Sequence, residues 1–467
     1  MRNNKILKSI GFVTLSNIIK LVSSIFVGFI LPGILGVTNY GYYKVFGLYL
    51  MYIGLFHFGF IDGIYLKYGG TNYNQLDRKE FRLYFKFLLL MELILAVIGV
   101  ILIQQFLVGE KKFIFSLLFI NMIAINLTSY FQFVSQITSR FKEFSIRTIV
   151  IAFSNLLIVA VLFFMKSNNY RMLLIAIVAV NFLLLFWYVY TYKEIVFGIK
   201  EKFRDNKKKI LLLFYSGITL LVANLASTII INIDRQVVEL YFTVEEFGTY
   251  SFAYSMLSMI TVVVTAIGIV LYPSLKKIDI NNISAKYSKY NRIIIFIVLI
   301  GLVGYFPIKL IIPKFLPDYF SSIFIFRIAL PGLLFTAPIS AVKHNYFKVF
   351  DRNLDFFLIS LFAILLNLSL NIFSYYRFGS MLFIAASSVL GIMFWYIMLD
   401  LYLYKVIQIK WQDNFFIILI GMISFYSITS IDNVFISFFA YVFFVITLII
   451  ITNYKYLMNR FLKYNKR

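Results

Sequence analysis

The chain has no cysteine among its 467 residues. Disulfides, thiol nucleophiles and thiolate metal sites are excluded at once. Charge is also scarce: Asp, Glu, Lys and Arg together make up 14% of the residues. A soluble core of this size would need far more charge to cover its surface. Histidine occurs only at positions 57 and 344, with no His/carboxylate cluster, and no glycine-rich phosphate loop with its lysine is present. Neither a metal nor a cofactor is expected, and no nucleotide site is visible. Long polar loops are missing too, the longest outer one being about 234–246, which argues against a membrane polymerase or acyltransferase.

Apolar residues, by contrast, make up 61% of the chain. A helix needs about 20 of them in succession to cross the hydrocarbon layer. Fourteen such runs follow almost end to end: about 9–31, 41–66, 83–108, 113–137, 147–165, 172–192, 210–233, 247–272, 293–312, 321–342, 354–373, 379–399, 413–430 and 433–454. They are too long and too weakly alternating for barrel strands. The expected fold is an all-α polytopic membrane protein. The first run follows MRNNKILK but outlasts a signal-peptide core and has no cleavage-site pattern after it, so it reads as a retained helix.

A net charge of +24 raises the question of nucleic acid, and the placement of the charge answers it. With the N-terminus in the cytoplasm, 33 Lys and Arg fall on inner segments and 9 on outer ones; Lys20 and Arg327 lie inside spans. That is the positive-inside rule, with both termini cytoplasmic, and no nucleic-acid role is expected. The most basic stretch, KEIVFGIKEKFRDNKKK (193–209), separates six spans from six more, and two remain after the WQDN turn at 411–414. The expected organisation is a half at 1–200, a half at 207–411 and a helix pair with tail at 412–467. The basic stretch reads equally as an amphipathic helix on the membrane surface or as a solvated linker.

A shift of 207 residues brings Ser9 onto Ser216, Asn17 onto Asn224, Val37 onto Val244, Gly41 onto Gly248 and Tyr43 onto Tyr250. Each copy ends a span, turns, and opens the next span with Gly-x-Tyr. Since six spans make a half, both copies start from the same side, as in the parallel repeats of some transporters. The fold class is thus two six-helix bundles in parallel pseudo-repeat plus a C-terminal pair.

The segment FILPGILGVTNYGYYKVFGLYLMYIGLFHFGFIDGIYLKYGG (29–70) resembles the opening signature of the bacterial polysaccharide (O-antigen type) flippases. Pro32, Leu35, Gly36, Tyr40, Gly41 and Tyr43 match its turn, and Gly59, Gly63 and Lys67 its glycine-rich close. Asp234, Arg235, Gly248 and Tyr250 resemble the second element of that family. The resemblance implies a non-enzymatic flippase of the bacterial inner membrane, carrying polyprenyl-pyrophosphate-linked oligosaccharide to the outer leaflet for O-antigen, capsule or exopolysaccharide synthesis. It also implies a polysaccharide polymerase and other assembly proteins as partners. Multidrug exporters and peptidoglycan-precursor flippases share the architecture and remain the alternatives.

Such a substrate needs a polar, cationic cleft. Lys20, mid-span, costs about 2.5–3.5 kcal/mol on the insertion scale and shares a helix stripe with Asn17 and Ser24. Asn224 stands in the equivalent span. Arg327 precedes LPGLLFTAP (330–338), where two prolines and a glycine predict a bent helix with carbonyls turned to protein or a wet cavity. Substrate binding is expected at Lys20, Asn17, Ser24, Arg327 and Asn224; the bland reading is snorkelling or local pairing, as of Lys20 with Glu92. Asp234, Arg235, Asp62, Glu92 and His57 are the candidates for gating or coupling, against a salt bridge or helix-packing contacts. Asp400 lies near the inner surface and calls for no functional role.

Overall fold

The computed structural model describes residues 2–275, 280–406, 408 and 414–464; residues 411–413 of the WQDN turn lie outside them. Among the described residues there is helix and no strand. The helices are α1 (Arg2–Leu50), α2 (Phe60–Tyr68), α3 (Arg78–Phe106), α4 (Gly109–Ile137), α5 (Phe141–Phe164), α6 (Tyr170–Thr191), α7 (Phe203–Tyr241), α8 (Val244–Leu275) and α9 (Ile280–Gly301). There follow α10 (Tyr305–Phe315), α11 (Ser322–Ala329), α12 (Leu333–Pro338), α13 (His344–Val349), α14 (Asn353–Phe378), α15 (Met381–Val406), α16 (Asn414–Thr429) and α17 (Val434–Tyr464).

Eleven helical stretches among the described residues are long and apolar enough to cross a membrane. One of them, Leu15–His57, contains two passes, because Gly36 adopts φ 69° and ψ 173° and breaks α1. Only glycine takes that conformation without strain. Beyond the break the chain reverses: Tyr49 packs on Phe115, Phe56 on Phe119 and Tyr65 on Phe133, so residues 49–65 run alongside α4 in its own direction. With α8 (32 residues) and α16 (16 residues), the fourteen apolar runs are all helical.

Contacts divide the chain into two compact units, residues 1–229 with 238–251, and residues 230–237 with 252–467. The first unit is organised on the α3–α4 hairpin and on α1 against α5. Asp77 caps α3 by accepting from the backbone N–H groups of Lys79 and Glu80, and Asn169 caps α6 in the same way. The core is aromatic: Phe60, Tyr84, Phe85, Tyr130, Phe131, Tyr188 and Tyr192 are buried together. Glycine sets the closest approaches. A Cβ at Gly63 would overlap the Leu213 carbonyl oxygen, and one at Gly217 would overlap that of Gly59, so α2 and α7 touch backbone to backbone.

The repeated Gly-x-Tyr has its explanation in the same unit. A Cβ at Gly41 would overlap the carbonyl oxygen of Val244, and one at Gly248 would sit 2.7 Å from that of Val37. Residues 37 and 244, like 41 and 248, are the pairs related by the 207-residue shift. Thr38 Oγ1 also donates to Glu245, its own counterpart (2.9 Å). The two copies meet each other through the same atoms, which is how a two-fold contact is built.

In the second unit, residues 322–349 form its most buried span. This span is irregular: Leu330–Gly332 is a 3₁₀ turn at the Pro-Gly pair, and Ile339–Lys343, just past Pro338, is a π-helical turn. Asn345 Nδ2 donates to the Ala341 carbonyl within the span and to the Gly268 carbonyl of α8, both at 2.9 Å. The basic stretch differs from an amphipathic helix. It is one 3₁₀ turn, Lys193–Ile195, an irregular segment 196–202, and then the first turns of α7.

Candidate functional site

The polar stripe of α1 is real in three dimensions. Ser23 faces α5, donating to the Ala152 carbonyl at 2.9 Å, and Ser16 is buried on the same side. At 3.6 residues per turn, Asn17, Lys20 and Ser24 fall to one flank of that contact, and Leu15, Val22 and Phe26 to the other. Lys20 and Ser24 are exposed and Asn17 is half-buried. Ser24 Oγ donates to the Lys20 carbonyl (2.8 Å), so it does not engage the ammonium. Among the described residues no carboxylate lies within ion-pair distance of Lys20. Asn224 of α7 is exposed likewise, with Thr228 Oγ1 donating to its carbonyl at 3.2 Å.

Glu92 is not the partner of Lys20. It is fully buried, and its Oε1 accepts from Asn126 Nδ2 (2.8 Å), which also donates to the Ile53 carbonyl. The structure does bring His57 and Asp62 together. Both are buried, with Nδ1 and Oδ2 3.7 Å apart, and the Gly59 backbone N–H donates to the same Nδ1. Glu92 with Asn126, and His57 with Asp62, are thus two separate buried polar pairs, the first tied to the Ile53 carbonyl and the second at the turn into α2.

Asp234 and Arg235 both engage Tyr254, the guanidinium of Arg235 lying 5.9 Å from the centre of its ring. The Asp234 carboxylate, fully buried, accepts from the Arg235 backbone N–H and from the Tyr254 hydroxyl. The Arg235 guanidinium donates to Asn232 Oδ1 (3.1 Å). Arg327 is engaged at the end of α16. Its guanidinium donates to Thr429 Oγ1, to the Tyr426 carbonyl and to Ser430 Oγ at 2.9, 2.9 and 2.6 Å. A cation at a helix C-terminus meets both orphan carbonyls and the negative end of the dipole, so this geometry matches local pairing.

Sequence reasoning missed three groups. Lys343, counted as a loop charge, is fully buried in the π-turn. It pairs with Asp400, donates to the Tyr396 carbonyl (3.3 Å) and lies 3.4 Å over the Tyr396 ring. The Tyr287 hydroxyl donates to the same carboxylate, so Asp400 has a structural role after all. The Glu239 carboxylate forms an ion pair with Lys111 (2.8 Å) and accepts from the Tyr49 hydroxyl (2.7 Å). A buried amide ladder runs from Asn367, which donates to the Ile230 carbonyl, through Asn371 to Ser387. Polar residues at four-residue spacing in span 354–373 were the available signal for the last. Among the described residues no three His, Asp or Glu side chains are grouped to hold a metal ion.

The fold is that of a known class of helical membrane transporters. The chain is similar to a lipid II flippase, MurJ, in an inward closed conformation, with a TM-score of 0.73 at 15% identity, over 97% of this chain and 100% of that one. It is also similar to a MATE-family multidrug resistance transporter of the MOP superfamily in an inward-facing conformation (TM-score 0.62, 12% identity, 88% and 96% covered). A third likeness is to a MATE protein in complex with MaL6 (0.60, 11%, 90% and 97%). No curated protein matches in sequence. Residues 6–279 match the polysaccharide biosynthesis protein family, and the chain belongs to it.

Proposed function

We propose that the protein is a flippase that moves polyprenyl-pyrophosphate-linked oligosaccharide from the cytoplasmic to the outer leaflet of a bacterial inner membrane. Its six-helix halves, 1–200 and 207–411, alternate access to a cavity, with 412–467 as an added helix pair and both termini cytoplasmic. The observation that carries this reading is the exposed Lys20 ammonium beside Asn17 and Ser24, with no carboxylate at hand among the described residues. A pyrophosphate gives that charge a partner in each cycle, and family membership supplies the polysaccharide pathway. An anionic headgroup leaving an inside-negative cell gains about 2.3 kcal/mol per charge for each 100 mV crossed. Asn224 extends the polar lining, and the buried His57, Asp62 and Glu92 are the coupling candidates. Asp234 and Arg235 have the gating role and Arg327 a secondary one in the cavity. A polymerase and other assembly proteins take the product onward, and no enzymatic step is assigned.

The test is export of surface glycan by Lys20 variants at matched protein levels. Lys20→Arg keeps partial function, because charge survives while geometry changes. Lys20→Ala folds normally but accumulates lipid-linked oligosaccharide on the inner leaflet. Normal export by Lys20→Ala would refute the assignment. The likeness to a lipid II flippase favours one second reading, a peptidoglycan precursor with the same pyrophosphate chemistry. Complementation of strains lacking either flippase separates the two, and a drug-efflux assay tests the multidrug alternative.

A further inference from the structure

The connection from α6 to α7 is ordered in a way that its composition does not require. Lys193, Lys200, Lys202, Arg204, Lys207 and Lys208 are exposed. Between them stand Phe197, 62% exposed, and Ile199, 77% exposed. A solvated linker has no use for two uncovered apolar side chains among its lysines. The segment is also held tightly. Arg82 of α3 donates through Nε to the Glu194 carbonyl (2.8 Å) and through Nη1 to the Ile199 carbonyl (2.9 Å). Arg78 pairs with Glu194 (3.0 Å), and the Glu201 backbone N–H donates to the Lys79 carbonyl (3.3 Å). Ile195 and Val196 are buried in the aromatic core. Gly198 takes φ +110°, and a Cβ there would sit 2.9 Å from Arg82 Cζ. The backbone therefore wraps the guanidinium, and the lysines and the two apolar tips are presented from a fixed frame. On the first turns of α7 that follow, Leu211, Leu212 and Tyr215 are 65–80% exposed, which sets the connection at the edge of the hydrocarbon layer.

We infer that residues 193–208 form a docking surface for anionic phospholipid headgroups. The lysines meet phosphates, and Phe197 and Ile199 insert between the lipids. Basic residues at a membrane surface attract anionic lipid, and apolar side chains beside them add burial at the headgroup boundary. Charge complementarity selects this occupant: the acidic groups of the stretch are Glu194, paired to Arg78, together with Glu201 and Asp205. Transport plays no part in the inference, which stands apart from the proposed substrate.

The test is hydrogen–deuterium exchange of the full-length protein in nanodiscs of phosphatidylcholine alone or mixed with phosphatidylglycerol. Peptides covering 193–208 are expected to exchange about fivefold more slowly with phosphatidylglycerol, the effect of a single engaged lysine. The triple variant Lys193→Gln, Lys200→Gln, Lys202→Gln should lose that difference while exchange elsewhere is unchanged. Arg82→Gln keeps all three lysines but frees the frame, so it too should lose the difference; Gly198→Ala is the second variant for the same point. Equal exchange of the wild-type protein in both lipids would overturn the inference. So would a full lipid effect in both Arg82→Gln and Gly198→Ala, which would reduce the surface to unstructured charge. Equal protection by inorganic pyrophosphate in phosphatidylcholine alone would assign the stretch to a soluble anion instead.

Discussion

Replacing Lys343 by methionine keeps the length of the side chain and removes its charge. The ammonium is fully buried, while the Asp400 side chain retains 18% exposure. Removing one partner of a buried ion pair costs about 3–5 kcal/mol, because the other charge is left uncompensated. Asp400 keeps the Tyr287 hydroxyl and some contact with solvent, which places the loss at the lower end, about 3 kcal/mol. The lost contact over the Tyr396 ring, at 3.4 Å, acts in the same direction. Lys343→Met with Asp400→Asn leaves no orphan charge and should return to within about 1 kcal/mol of wild type, about 2 kcal/mol better than Lys343→Met alone. The measurement is SDS-induced unfolding in mixed micelles, followed by tryptophan fluorescence in a background with Trp187 and Trp411 replaced by Phe, so that it reports Trp395, whose Nε1 donates to Ser360 Oγ (3.1 Å). If Lys343→Met unfolds within 1 kcal/mol of wild type, or the double variant is as weak as the single, the π-turn is not held by this ion pair.

Gly63→Ala should destabilise the protein by about 1–3 kcal/mol, toward the upper end because the overlapped atom is the Leu213 backbone oxygen, which cannot rotate away; a neutral result in the same unfolding assay refutes the close packing of α2 and α7. Arg327→Gln should lower stability by about 1.5–3 kcal/mol, as a charged donor is lost at the end of α16. Lost export with unchanged stability would make the cavity role of Arg327 its main one and refute its part in holding the end of α16. Reporter fusions at Asn206 and at the C-terminus should report cytoplasm and one at Glu245 the outside, and an external signal at Asn206 would break the two-half topology.

The helices were legible because lipid leaves only one local solution, an apolar run with its hydrogen bonds satisfied internally. The Gly-x-Tyr pair was legible because identical contacts require identical residues. The stripe of Asn17, Lys20 and Ser24 followed from helical period alone. The engagements of Arg327 and Lys343 did not. Their partners lie 99–103 and 53–57 residues away, and a charge near a span end looks the same in sequence whether it reaches water or a buried carboxylate. The π-turn carries no signal beyond Pro338. The connection at 193–202 was read by its apolar spacing as helix or linker, and the deciding residue was Arg82, in another element.

The contact of residues 37–41 with 244–248 has a thermodynamic consequence. Because each glycine lies against the carbonyl four residues before its counterpart, separating the two helices of this joint for one methyl group makes room for the other. Gly41→Ala and Gly248→Ala are therefore not independent perturbations, and the second should cost markedly less in the presence of the first. An engineer treating them as two sites would overestimate the damage; a population of sequences drifting at one would find the other released.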